Sequence, residues 1–181
     1  MQCFCLCTGR CGSLTLVQAF RHATNYTAAH ESGRANHYAL EYPDDHIEVD
    51  NRLSWFVGSL AVRFPEARWI WLRRDPAAAA ASYARRRHST AIKAINAICQ
   101  GHLKGRAELA QKLIRTMEEN IAEFLRFRPH DVCRIERAKK DFPPIWRSLG
   151  CTGDLAAAVA EFDHRYNASP PPETEPPNAR P

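Results

Sequence analysis

The sequence predicts an α/β fold, a three-layer arrangement in which helices flank a central, mostly parallel β-sheet. Three observations carry this expectation. Short apolar runs alternate along the chain with segments of helical periodicity. The two strongest runs, Cys3–Thr8 (CFCLCT) and Arg68–Leu72 (RWIWL), are apolar on both parities, as strands covered on both faces are. Polar, charged and glycine residues gather directly after the strands, at the edge where parallel sheets bind their ligands.

Each element follows from its own signal. Cys3–Thr8 is the first strand, and Gly12–His22 is a helix with Leu16, Ala19 and Phe20 on one side. Tyr26–Glu31 is a second, shorter strand, whereas 33–45 is polar and ambiguous. His46–Val49 is a third strand. Asn51 has the chemistry of an N-cap, and Leu53, Phe56, Val57, Leu60, Ala61 and Phe64 then fall at helical spacing until Pro65 stops the helix. Arg68–Leu72 is the fourth strand. Asp75-Pro76 opens the next helix, aspartate as cap and proline in the first turn, and the alanine tract carries it to about Arg87. Residues 89–128 read as two helices broken between Gly101 and Gly105, the second with Leu109, Leu113, Met117, Ile121, Phe124 and Leu125 on one face. Val132–Glu136 is the last strand, and Phe142–Leu149 and Asp154–Phe162 are short helices. Residues 1–168 then form one domain, and the proline-rich stretch 169–181 is a disordered tail.

Composition narrows the function. Lysine and arginine number 25 against 20 aspartates and glutamates, a net charge of +5. That excess suits an anionic ligand and is too modest to demand nucleic acid. No stretch is apolar over the roughly 20 residues a membrane span needs, and no leader with a basic and an apolar part precedes Cys3, so a cytoplasmic chain is expected. Cys3, Cys5 and Cys7 share one strand face and read as small buried apolar side chains. With Cys11 they lack the paired C-x2-C knuckles of a zinc site, so no metal is expected.

The loop after the first strand, Thr8-Gly9-Arg10-Cys11-Gly12-Ser13, carries the strongest chemical signal. Gly9 and Gly12 let the backbone turn tightly and approach a ligand. Unpaired N–H groups at the helix start attract an anion, Ser13 offers a hydroxyl, and Arg10 supplies a fixed positive charge. An ordinary strand–helix turn capped by Ser13 is the plain alternative. A nucleoside-triphosphate loop needs G-x4-G-K-[ST]. Here Ser13 follows Gly12 directly, and the cation precedes the glycine.

Arg10-Cys11-Gly12-Ser13 resembles the 5′-phosphosulfate loop of PAPS-dependent sulfotransferases, Lys/Arg-Ser/Cys-Gly-Thr/Ser-Thr. Leu14 departs from that pattern, and Thr15 stands one place beyond the usual hydroxyl. Trp69-Ile70-Trp71-Leu72-Arg73-Arg74-Asp75-Pro76 resembles the family's 3′-phosphate segment, a strand ending in Arg-Asp-Pro before a helix bearing Ser-Tyr; Arg74 and Ser82 keep its spacing of eight. The resemblance covers residues 3–86 well and 130–168 loosely, through the last strand, Phe142–Leu149 and Arg165-Tyr166-Asn167-Ala168. It implies a P-loop-like form of the three-layer fold. It also implies binding of PAPS (3′-phosphoadenosine 5′-phosphosulfate), with adenosine 3′,5′-bisphosphate as product. The implied contacts are Gly9, Arg10, Cys11, Gly12, Ser13, Leu14 and Thr15 at one end and Arg74 and Ser82 at the other. The acceptor is a small molecule or glycan bearing a hydroxyl or amine.

Arg10 is the candidate to offset charge on the leaving oxygen, since an arginine does not readily give up its proton. Glu31, ending the second strand, is the first candidate for general base, as a glutamate at a similar point looks to be in carbohydrate and tyrosyl-protein sulfotransferases. His30 falls on the opposite face of a regular strand and is second; Asp50 is third. Arg85-Arg86-Arg87-His88 extends the clamp helix. Arg137, Lys139 and Lys140 follow the last strand, where the family's late basic segment is not recognisable. The acceptor region falls to 33–45 and 89–128, with His37, Tyr38, Tyr42, His102 and Lys104. Two other classes stay open: a relative that binds nucleotide or a partner without catalysis, and a P-loop-like kinase.

Overall fold

The computed structural model describes residues 1–33, 39–86, 89–102 and 105–166. Arg34, His37, Tyr38, Arg87, His88, Lys104 and the stretch 167–181, with its proline-rich tail, lie outside the described residues. Five strands form one sheet: β1 (Gln2–Cys7), β2 (Thr27–His30), β3 (His46–Val49), β4 (Arg68–Arg73) and β5 (Asp131–Arg134). Their order is β2-β3-β1-β4-β5, and every pair is parallel. A fully parallel sheet requires a crossover between successive strands, and the helices supply most of them.

The alternation of β1 builds the three layers. Cys3, Cys5 and Cys7 point to one face and pack in a core with Leu16, Val17 and Phe20 of helix α1 (Ser13–Phe20). Helices α6 (Ala138–Ser148) and α7 (Leu155–Ala160) complete that layer through Phe142, Trp146 and Ala158. Phe4 and Leu6 point the other way, against Leu53, Leu60, Ile121 and Leu125. Those residues come from the 3-10 helix Asn51–Trp55, α2 (Val57–Arg63) and the long α5 (Arg106–Leu125). The three cysteines of β1 are wholly buried, with Cys3, Cys5 and Cys7 at 0% exposure. A third cluster joins α3 (Pro76–Ala84), α4 (Thr90–Ile98) and α5 around Tyr83, Ile92, Ile95 and Leu113.

Local signals explain most boundaries. Asp75 caps α3, its carboxylate accepting from Ala78 N–H at 2.7 Å, with Pro76 in the first turn. Ser89 and Asp154 cap α4 and α7 in the same way. The single helix expected after Asn51 is instead two pieces, because Phe56 leaves helical geometry at φ −117°. Its cap is the fully buried Asp50, whose carboxylate accepts from Arg52 N–H at 2.7 Å. Helix α6 begins four residues earlier than expected and tolerates Pro143 and Pro144, since Ala138, Phe142, Ile145 and Trp146 bury one stripe. Among the described residues no helix is long and apolar enough to cross a membrane.

A cationic cleft at the switch point

Strands β1 and β4 are neighbours, yet their connections diverge. The chain leaves β1 through α1 toward β2 at one edge, and leaves β4 through α3, α4 and α5 toward β5 at the other. Such a divergence opens a crevice beyond the carboxyl ends of the strands, where α/β proteins bind ligands. A cavity of about 460 Å³ lies there, with Arg10, Gly12, Ser13, Arg74 and Ser82 in its lining.

The loop after β1 has an unusual backbone. Gly9, Arg10 and Gly12 all have positive φ, at 79°, 56° and 83°. Turns of this kind, with a left-handed residue after a right-handed one, form anion-binding concavities from successive peptide N–H groups. Both glycines are also required by space. A Cβ on Gly9 would collide with the Tyr83 hydroxyl, and one on Gly12 would lie 2.5 Å from Ile135 Cδ1. Gly12 is the N-cap of α1, and the first intrahelical bond runs from Leu16 N–H to Gly12 C=O at 3.0 Å. The N–H groups of the preceding turn have no partner within the helix.

Two carbonyls of the loop are tied by side chains. Tyr83 O–H donates to Thr8 C=O at 3.2 Å, and Arg74 Nη1 donates to Arg10 C=O at 2.7 Å. Arg10 Nε in turn donates to Ser82 Oγ at 3.1 Å. The two segments expected to grip opposite ends of a ligand are therefore cross-braced and meet over the β1–β4 junction. Arg73 turns the other way, pairing with Glu118 of α5 at 3.4 Å and lying over the Trp71 ring. Arg85 joins Arg10 and Arg74 in the cleft wall, and Arg86 stands close enough to act on Arg10. Partial burial, then the like charges of Arg86 and Arg74, lower the Arg10 pKa from its ordinary value. Like charges held this close are relieved by an anion beside them.

The remaining loop residues divide by direction. Leu14 and Thr15 line the cleft from the first turn of α1. Cys11 is wholly buried and outside the lining; its thiol faces Cys7 and loop N–H groups, which lower its pKa, so its share in binding is confined to backbone. Ser13 does not cap α1. Its Oγ lies 3.0 Å from His30 Nε2.

The candidate bases differ in where they lie. His30 closes β2 and lines the cleft, and burial lowers its pKa, leaving a neutral imidazole near pH 7. Glu31 is not among the lining residues. It takes φ 54°, and its carboxylate is bound by Arg52 at 2.6 Å and by Asn51 Nδ2 at 3.2 Å. Glu48, buried on β3, pins the same turn by accepting from Ser32 N–H at 2.9 Å and from the Ser32 hydroxyl. The strand thus ends at His30, and face parity no longer governs Glu31. Asp50 is the buried cap already described and stands outside the cleft lining.

Other expected contributors lie elsewhere. Arg137 pairs with Asp141 at 3.6 Å, and Lys139 with Asp163 at 2.6 Å. Tyr42 packs against Phe4 and His46. His102 is outside the lining. Missing from the sequence reading are Glu136, after β5, and the cleft wall made by Phe162, His164, Arg165 and Tyr166. Only the Arg165-Tyr166 end carried any signal, and that came from resemblance.

No family model matches the chain, and neither a curated protein nor a solved structure matches it. Fold and cleft thus define a class: a parallel α/β protein whose switch-point cavity carries Arg10, Arg74, Arg85 and Arg165 against the carboxylate of Glu136.

Proposed function

We propose that this protein is a sulfotransferase that moves a sulfuryl group from PAPS to a hydroxyl or amine acceptor. One observation carries the reading: Arg10 and the first turn of α1 share a cavity with Arg74 and Ser82, the two segments that resemble the family's two phosphate-binding motifs. The donor set fits the ligand. Four guanidinium groups, two serine hydroxyls and a helix N-terminus suit a molecule with anionic groups at both the 5′ and 3′ positions. A cavity of about 460 Å³ is within the range of nucleotide-sized sites. When bound, PAPS supplies the activated sulfuryl group.

The chain's own groups would do the rest. Arg74 and Ser82 bind the 3′-phosphate, and the N–H groups of the α1 turn with Ser13 orient the 5′ end. Arg10 offsets the charge that develops on the leaving oxygen. His30 Nε2, neutral and at the cleft surface, accepts the acceptor's proton. Glu31 holds Arg52 and Asn51 and thereby the turn that presents His30. We place this activity in the cytoplasm, a reading supported by reduced cysteines packed as apolar side chains in the sheet core. No step is assigned to a metal.

Labelled sulfate transfer from PAPS to a panel of glycans, phenols and lipids tests catalysis. Transfer that falls at least 100-fold in His30→Gln and persists in Glu31→Gln is the expected result. Bisphosphate binding without transfer to any acceptor would favour the binding-only class. The commitment of Glu31 to Arg52 is the observation on that side.

A further inference from the structure

Strand β3 carries two polar side chains that do not line the cleft. His46 and Glu48 are buried, at 5% and 0% exposure. They share one face of the sheet, in the layer of Phe4 and Tyr42. Glu48 stands in register between Phe4 of β1 and Ala29 of β2, and the His46 ring stacks on Tyr42 with centroids 5.9 Å apart. Apolar residues would pack in such a layer without the cost of desolvating a carboxylate and an imidazole. What the polar pair adds is a set of bonds to β2.

Both ends of β2 are tied to this pair. His46 Nδ1 lies 2.8 Å from the hydroxyl of Thr27, the first residue of the strand, and His46 Nε2 lies 3.1 Å from Glu48 Oε2. Glu48 also accepts from Ser32 N–H at 2.9 Å and from the Ser32 hydroxyl, in the turn just past the strand. Between the tied ends stands His30, whose Nε2 lies 3.0 Å from Ser13 Oγ in the cleft. Strand β2 is only 4 residues long and lies at the edge of the sheet. The backbone bond that continues it, from Glu31 N–H to Val49 C=O, is long at 3.4 Å. Few backbone bonds fix such an end, so the side-chain ties decide where His30 stands.

The charges that act on His30 come from several elements: Glu31 of its own turn, Glu48 of β3, Arg52 of the following 3-10 helix and Arg21 at the end of α1. Glu31 is bound by Arg52 at 2.6 Å. Glu48 differs from Glu31 in being wholly buried and in holding the backbone of the turn itself.

We infer that Glu48 is a positioning residue: through Ser32 it fixes the turn after β2 and so holds His30 Nε2 at the cleft surface beside Ser13. The inference rests on the proposed role of His30 as general base, and two readouts separate the two claims. NMR titration of the His30 ring needs no ligand. Burial is the main cause that lowers the His30 pKa, so a loosened turn returns it toward the ordinary value of about 6.5. Glu48→Gln and Ser32→Ala should both raise it in that direction. Ser32→Thr keeps the hydroxyl and should titrate as wild type does. In sulfate transfer from PAPS, Glu48→Gln should lower kcat about 10-fold and Ser32→Ala about 3-fold, with KM for PAPS unchanged. A general loss of stability produces neither the shifted ring titration of the folded protein nor that split between kcat and KM. Ser32→Ala leaves the buried carboxylate in place, so it reports even where Glu48→Gln folds poorly. A His30 pKa that is unchanged or lowered in both variants overturns the positioning role, because removing charge without moving the ring would lower it. Full turnover in both variants overturns it as well. Wild type that transfers no sulfate, while His30 shifts as expected, overturns the sulfotransferase reading alone and leaves Glu48 in its positioning role.

Discussion

Arg74 carries two jobs, and substitution separates them. Its Nη1 braces the loop through Arg10 C=O at 2.7 Å, and the rest of its guanidinium lines the cleft. A charged donor on a carbonyl contributes about 1.5–3 kcal/mol when buried. The side chain is half-buried here, so Arg74→Ala should lower folding stability by about 1 kcal/mol, read by urea unfolding. The loss in ligand affinity should be larger. A forked guanidinium–phosphate contact is about twice as strong as a neutral hydrogen bond. Losing it should cost about 2–3 kcal/mol, or about 30- to 150-fold in Kd. Arg74→Lys keeps the charge but not the fork, and should fall between wild type and alanine. Titration calorimetry with adenosine 3′,5′-bisphosphate, at fixed low salt, measures all three proteins. Equal affinity in wild type and Arg74→Ala would refute the reasoning. So would a loss no greater than the loss of stability.

Other substitutions test other links. Gly12→Ala meets both a left-handed φ of 83° and Ile135 Cδ1 at 2.5 Å. The backbone strain alone is about 1–2 kcal/mol, so Tm should fall by about 2–8 °C, with any part due to the clash recovered in the double mutant with Ile135→Ala. Asp50→Ala removes the buried cap on Arg52 N–H and should cost about 1–2 kcal/mol in urea, with bisphosphate affinity unchanged. A selective loss of turnover in Asp50→Ala would instead assign it a catalytic role. For His30 the sign follows from its lowered pKa. The unfolded chain takes up the proton first, so this group's contribution to stability declines as pH falls below the ordinary histidine value of about 6.5. Transfer, which needs the neutral ring, should rise with pH and level off by about pH 7, and His30→Gln should lose that rise.

The elements nearest the cleft were the most legible. Strands β1 and β4 are apolar on both parities, and Asp75-Pro76 marks the start of α3 by residue type alone. Arg10, Gly12, Arg74 and Ser82 were legible because loop and helix spacing fix their positions within a few residues. What stayed hidden depends on the return of the chain in space. The Phe162–Tyr166 wall has no local pattern; its place is set by Glu161 reaching His22, at a separation of 139 residues. His30 and Glu31 lie differently from what strand alternation predicts, for a local reason. Alternation holds only within a strand, and β2 stops at His30 before Glu31 turns left-handed. Asn51 looked like the cap because asparagine favours that position, but its neighbour Asp50 is the residue that accepts the N–H.

The central claim is that the loop after β1 and the β4–α3 segment hold one nucleotide between them. Calorimetric titration of the wild-type protein with adenosine 3′,5′-bisphosphate, and separately with ATP and magnesium, addresses it most directly. One-to-one binding of the bisphosphate, with ATP and magnesium at least 10-fold weaker, is the result the cleft predicts. Binding of ATP and magnesium with no binding of the bisphosphate would contradict it.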